Sequence, residues 1–84
     1  MKSTWLATYE NVEIKVMNSW FHGEKMLVNG EVQDERFGAF SSNLTGHLID
    51  SKGERKNIKA NLGGSFSIHC NIFVDDKKME VNKI

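Results

Sequence analysis

Apolar and polar residues alternate with a period of two along most of this chain, most cleanly in F-S-I-H-C-N-I-F-V, residues 66–74. Phe66, Ile68, Cys70, Ile72 and Val74 share one parity, and Ser67, His69 and Asn71 share the other. That period belongs to a strand with one face in a core and one face outward. Upstream, Val12, Ile14 and Val16 point inward while Glu13 and Lys15 point outward. Trp20 keeps the inward parity if this strand runs on; Met17 and Phe21 interrupt its polar face, which predicts a partly covered outer side. Trp5, Leu6 and Tyr9 predict a short strand over 3–9, with one helical turn as the alternative. Met26 to Val28, Leu44 to Ile49 and the series Ile58, Ala60, Leu62 add further strands, and Met79 with Val81 predicts a last short one. Glu31 to Arg36 is polar except for Val32, so it belongs at a sheet edge, where charge discourages edge-to-edge pairing.

The turns fit between these runs. Asn29-Gly30 is the strongest short hairpin signal, because both residues tolerate positive φ and a type I′ turn matches strand twist. Asp50-Ser51-Lys52-Gly53 has the Asp-first, Gly-last preference of a type I turn followed by a bulge. Asp75-Asp76 and His22-Gly23-Glu24 read as turns, and Gly63-Gly64 as a bend or bulge. M-L-V-N-G-E-V (26–32) and I-F-V-D-D-K-K (72–78) echo each other, as hairpins built on the same turn chemistry do. The chain has no proline and no convincing helix. The expected fold is all-β: a small antiparallel two-sheet β-sandwich or partly open barrel of about six to eight short strands. Residues 1–84 form a single β domain in this reading.

Charge narrows the function. Lys and Arg number 11, Asp and Glu 11, for a net charge of zero. Proteins that rely on phosphate contacts usually carry a basic excess, so nucleic acid is a disfavoured partner, although a local basic patch is compatible with the composition. Cys70 is the only cysteine, which excludes an intramolecular disulfide and a multi-cysteine zinc site. No apolar run has the length of a membrane span, and residues 1–10 lack the apolar core of a secretory signal. A cytoplasmic location is expected, and Asn43-Leu44-Thr45 is then a chance match to a glycosylation acceptor.

Each candidate for chemistry has a plainer account. His47 and His69 could approach if their strands were neighbours, and Asp50 or His22 could complete a metal site, but the spacing matches no ligand pattern. His69 and Cys70 are consecutive and so point to opposite faces, which argues against a thiol–imidazole pair. Glu31, Asp34 and Glu35 suit a charged edge better than a paired-carboxylate site. Gly63-Gly64-Ser65 precedes a strand, so no helix terminus would support a phosphate there. Lys77 and Lys78 are diluted by Asp75 and Asp76. No catalytic residue, metal or cofactor is assigned.

The expected function is therefore binding without catalysis: contact with another protein or self-association, as an inhibitor or adaptor would use. Phe37 and Phe40, in a loop over 37–43, and Trp20 and Phe21, before the turn at His22, are the expected interaction residues. The alternative is a small-molecule or nucleotide-binding domain, with Lys52, Arg55, Lys56 and Lys59 meeting an anionic ligand.

Overall fold

In a computed structural model, residues 2–19, 23–37, 42–63 and 68–84 are described. They form nine strands and no helix: β1 (Lys2–Tyr9), β2 (Val12–Ser19), β3 (Gly23–Val28), β4 (Glu31–Arg36), β5 (Ser42–Ile49), β6 (Arg55–Gly63), β7 (His69–Val74), β8 (Lys77–Lys78) and β9 (Asn82–Lys83). Two antiparallel sheets result, ordered β4-β3-β2-β1-β9 and β5-β6-β7-β8. They stack as a sandwich and do not close into a barrel.

The period-two pattern decides which side chains meet. Ile14, Val16, Met26 and Val28 from the first sheet face Leu44, Leu48, Ile58, Ala60, Leu62, Ile72 and Val74 from the second. Their polar neighbours in sequence point outward, as strand geometry requires. Asn29 and Gly30 both have positive φ (49° and 83°), as do Asp75 and Asp76 (52° and 66°), so the two echoing hairpins share the type I′ form. At Asp50 the amide of Gly53 donates to the Asp50 carbonyl at 3.0 Å, and Gly53 adopts φ 80°, the expected turn and bulge.

Several boundaries differ from the sequence reading. Glu24 lies within β3 and not in a turn, and it is 3% exposed on the core side opposite Asn18. β5 starts at Ser42, shortening the expected loop. β7 starts at His69, and Phe66 and Ser67 lie outside the described residues. Met79 and Val81 are not strand residues; they pack on the core between the two-residue strands β8 and β9. Both apolar side chains reach the core where the chain crosses from one sheet to the other, and a crossing segment cannot pair along its whole length.

One flank of the sandwich is closed by side chains. The β3–β4 register shifts between Met26 and Leu27, so Gln33 is an extra residue in β4. A bulge re-aims side chains. Gln33 then pairs with the edge of β5 as a peptide group would: its Nε2 donates to the His47 carbonyl at 3.0 Å, and its Oε1 accepts the His47 amide at 2.7 Å. Asp34 Oδ2 accepts the Thr45 amide at 2.8 Å, and Arg36 Nε donates to the Asn43 carbonyl at 3.4 Å. These contacts occupy edge groups of β5 that would otherwise invite another strand.

A second tie joins the sheets at the end that carries the tight turns. Glu10, at φ 54°, accepts the Ser51 amide at 2.7 Å and the Ser51 hydroxyl at 3.3 Å. Nearby, Lys56 Nζ lies 3.5 Å from both Glu54 and Asp75 and 4.0 Å from Asp50.

Candidate functional site

Among the described residues the opposite flank is less covered. β8 pairs only with Phe73 and Val74, so among the described residues the outer edge of β7 from His69 to Asn71 has no strand beside it. The Ile72 carbonyl accepts the Met79 amide at 2.8 Å, which shows that Ile72 turns its backbone groups to this edge. Cys70, two residues earlier in the same strand, turns its N–H and C=O the same way. β9 faces this edge across a gap. Between them runs an open groove of about 400 Å³, lined by Trp5, Ile68, His69, Cys70, Asn71, Val81 and Lys83.

Three physical features define the groove. Trp5 forms a firm apolar floor, 5% exposed and held between β2 and β9. Lys83 Nζ stands 5.9 Å from the centroid of the Trp5 ring, within cation–π range, and brings a positive charge to the rim. Burial pushes the Cys70 thiol up to about 12, so it is a neutral, unreactive lining group at physiological pH. A groove of mixed apolar and polar lining beside a strand edge can hold an extended chain; the neutral Cys70 thiol is no activated nucleophile.

The expected interaction residues are only partly visible. Phe37 is described and 71% exposed; a Cβ on Gly23 would lie 2.9 Å from its ring. Trp20, Phe21 and Phe40 lie outside the described residues, as do His22, Gly64 and Ser65. The basic cluster falls apart by strand parity. Lys56 shares the inward parity of Ile58 and is held among three carboxylates, whereas Arg55 and Lys59 face outward and Lys52 sits exposed in the turn. Lys59 pairs with Asp76 at 3.6 Å. Phe37 follows β4 at one end of the sandwich and Lys52 lies in the turns at the other, so the structure does not bring them together.

The remaining candidates are structural. β6 separates β5 from β7, and His47 pairs with Asn57 while His69 pairs with Gly63, so the two imidazoles are neither on neighbouring strands nor in register. Among the described residues no cluster of three or more His, Cys, Asp or Glu has metal-binding geometry. Asp34 is engaged with the β5 edge and with the Glu35 amide at 2.9 Å. Among the described residues no helix is long and apolar enough to cross a membrane.

The carboxylates around Lys56 make stability depend on pH. The Glu54 amide holds the Asp50 carboxyl below its ordinary value; burial pulls the other way, and the Lys52 amide and the Lys56 charge reinforce the lowering. Burial works against the Lys56 charge, but Asp75 and Glu54 outweigh it and raise its pKa. A carboxyl lowered on folding stabilises the fold above its unfolded pKa and loses that contribution as pH falls through the folded value. Asp50→Asn keeps an acceptor for the amides of Lys52 and Glu54 but removes the charge. Wild type is therefore expected to exceed Asp50→Asn in stability at neutral pH, with the gap closing below the ordinary value of 3.8. Urea melts of both proteins on either side of that pH check this; a gap independent of pH would remove the charge from the explanation.

Sequence reasoning missed the groove itself. Its walls come from β1, β7 and the crossing before β9, which are far apart in the chain, and no local pattern reports that β8 stops after two residues. No family model, curated protein or solved structure matches this chain.

Proposed function

We propose that this is a non-catalytic binding domain that captures an extended polypeptide segment along the less covered flank of its sandwich. The observation that carries the reading is the contrast between the two flanks. Side chains of β4 occupy the β5 edge, whereas among the described residues no strand lies beside the start of β7, which borders a groove of mixed apolar and polar lining. An added strand would gain main-chain hydrogen bonds from Cys70, and the groove would accept its alternate side chains, the division of labour in strand addition. Ile68, 36% exposed, and Val81 would flank it. Phe37, 71% exposed, follows β4 on the opposite flank and is not part of this contact.

Ile68→Lys places a charge at the start of this edge, the device by which natural edge strands refuse partners. It is expected to leave the circular dichroism spectrum unchanged and to abolish capture of a partner that wild type retains, whether another protein or a second copy. A partner held equally by wild type and Ile68→Lys would remove the β7 edge from the account. A strict monomer that retains nothing in pull-down would remove the reading as a whole.

A further inference from the structure

The outer face of the β5–β8 sheet is chemically unlike the rest of the molecule. The pairing registers place Asn43, Asn61 and Asn71 in one row across three strands, with Asn57 on the same face. The next row runs Thr45, Lys59, Phe73, Lys78 across all four strands. Arg55 also faces outward, at the start of β6. None of the chain's 11 acidic residues occupies this face; they lie on the other sheet, in the turns and at Glu80. Zero net charge thus conceals a local cationic excess on this face. Asp76 approaches from its turn to pair with Lys59 at 3.6 Å, but both side chains are exposed, at 86% and 62%, so solvent and salt screen the pair.

The asparagines call for a reason. Asn is depleted in strands, and four outward positions filled by it in three adjacent strands do nothing for the core. Asn61 Nδ2 donates to Asn43 Oδ1 at 2.6 Å, which orients both amides. Each amide has two donors and an acceptor, so the pair keeps capacity for a ligand. Phe73 is half-buried in the neighbouring row, about 6.8 Å along the strands, and the lysines flanking it are about 4.8 Å away on either side. An apolar ring framed by cations, beside a row of amides, matches a chain that alternates flat bases with phosphates.

We propose that this face binds single-stranded nucleic acid: a base stacks on Phe73, Lys59, Lys78 and Arg55 meet phosphates, and the amides of Asn61 and Asn71 hydrogen-bond base edges. Base–aromatic stacking accepts any base, so sequence preference is weak and salt dependence marked. The site adjoins the β7 edge groove and shares Asn71 with it, whereas Phe73, Lys59, Lys78 and Arg55 do not line the groove.

The test is fluorescence anisotropy of a short labelled oligothymidylate titrated with the full chain at low salt. Wild type is expected to bind, with a log–log salt slope of about −2 for roughly three cations. Phe73→Leu keeps an apolar side chain in β7 and is expected to lower affinity roughly 5- to 100-fold. Lys59→Glu with Lys78→Glu should abolish binding, and Lys15→Glu, on the outer face of the other sheet, should leave it unchanged. Absence of binding overturns the proposal. So does binding indifferent to Phe73→Leu and displaced equally by heparin, which would mark a general polyanion surface with no role for base stacking.

Discussion

Gly46→Ala is expected to destabilise the domain by about 1–4 kcal/mol and to lower Tm by on the order of 10 °C. Gly46 has an ordinary extended backbone, so the cost is one of space. A Cβ there would lie 2.6 Å from Gln33 Oε1 and 2.9 Å from Met26 Sδ. Met26 is fully buried and can yield only by repacking its neighbours, which typically costs about 1–3 kcal/mol. Gln33 can swing away, but it then gives up both hydrogen bonds to His47, each contributing about 0.5–1.5 kcal/mol. The entropic gain from replacing a strand glycine offsets roughly 0.5–1 kcal/mol of this. Thermal melts of Gly46→Ala, Gln33→Ala and the double variant separate the contributions. Once Gln33 is truncated, only the Met26 contact opposes the new methyl, so the double variant should cost less than the sum of the singles. Strict additivity would show that the methyl never reaches Gln33.

That glycine also marks the limit of reading the chain as a sequence. Parity along β2, β5 and β6 names the core because burial alternates with the pleat: Ile14, Val16, Leu44, Leu48, Ile58, Ala60 and Leu62 are all buried. The Asn-Gly and Asp-Asp turns are equally legible, because positive φ restricts which residues fit. Contacts between the sheets are not, since they join residues with no local relation. Gly46 inside a strand did carry a signal, because an isolated strand glycine suggests close approach of a neighbour. Which neighbour depended on the extra residue in β4. Glu24 shows the converse failure. Its chemistry and the adjacent Gly23 argue for a turn, whereas its parity with Met26 and Val28 places it inside; there Asn18 donates to Oε1 at 3.3 Å and Oε2 has no partner among the described residues. The basic run from Lys52 to Lys59 looked like one cluster because sequence proximity merges two faces that the pleat separates. The same merging hid the acid-free face around Phe73, which composition averages away.

Trp5 joins the stability of the fold to the shape of the groove, so its truncation should have the largest single effect. Trp5→Ala removes a side chain that is 5% exposed and pairs across β2 with Val16, and the expected loss is about 3–5 kcal/mol. A domain of 84 residues has roughly 4–13 kcal/mol of total stability, so this variant should melt at least 12 °C lower or fail to fold. Trp5→Phe keeps an aromatic floor and should lose only roughly 1–2 kcal/mol. Lys83→Met removes the cation above the ring while keeping an apolar stem, and should change stability by no more than about 1 kcal/mol. The order Ala, then Phe, then Lys83→Met in thermal melts tests whether Trp5 acts as packing first and as a cation partner second. The Phe variant is the informative one for binding. It stays folded while the groove floor becomes smaller, so partner capture lost with Trp5→Phe but kept with Lys83→Met would place the binding contact on the indole itself. A Trp5→Ala protein as stable as wild type would mean that the floor is not part of the core, and the division into a closed flank and a less covered flank would fail with it.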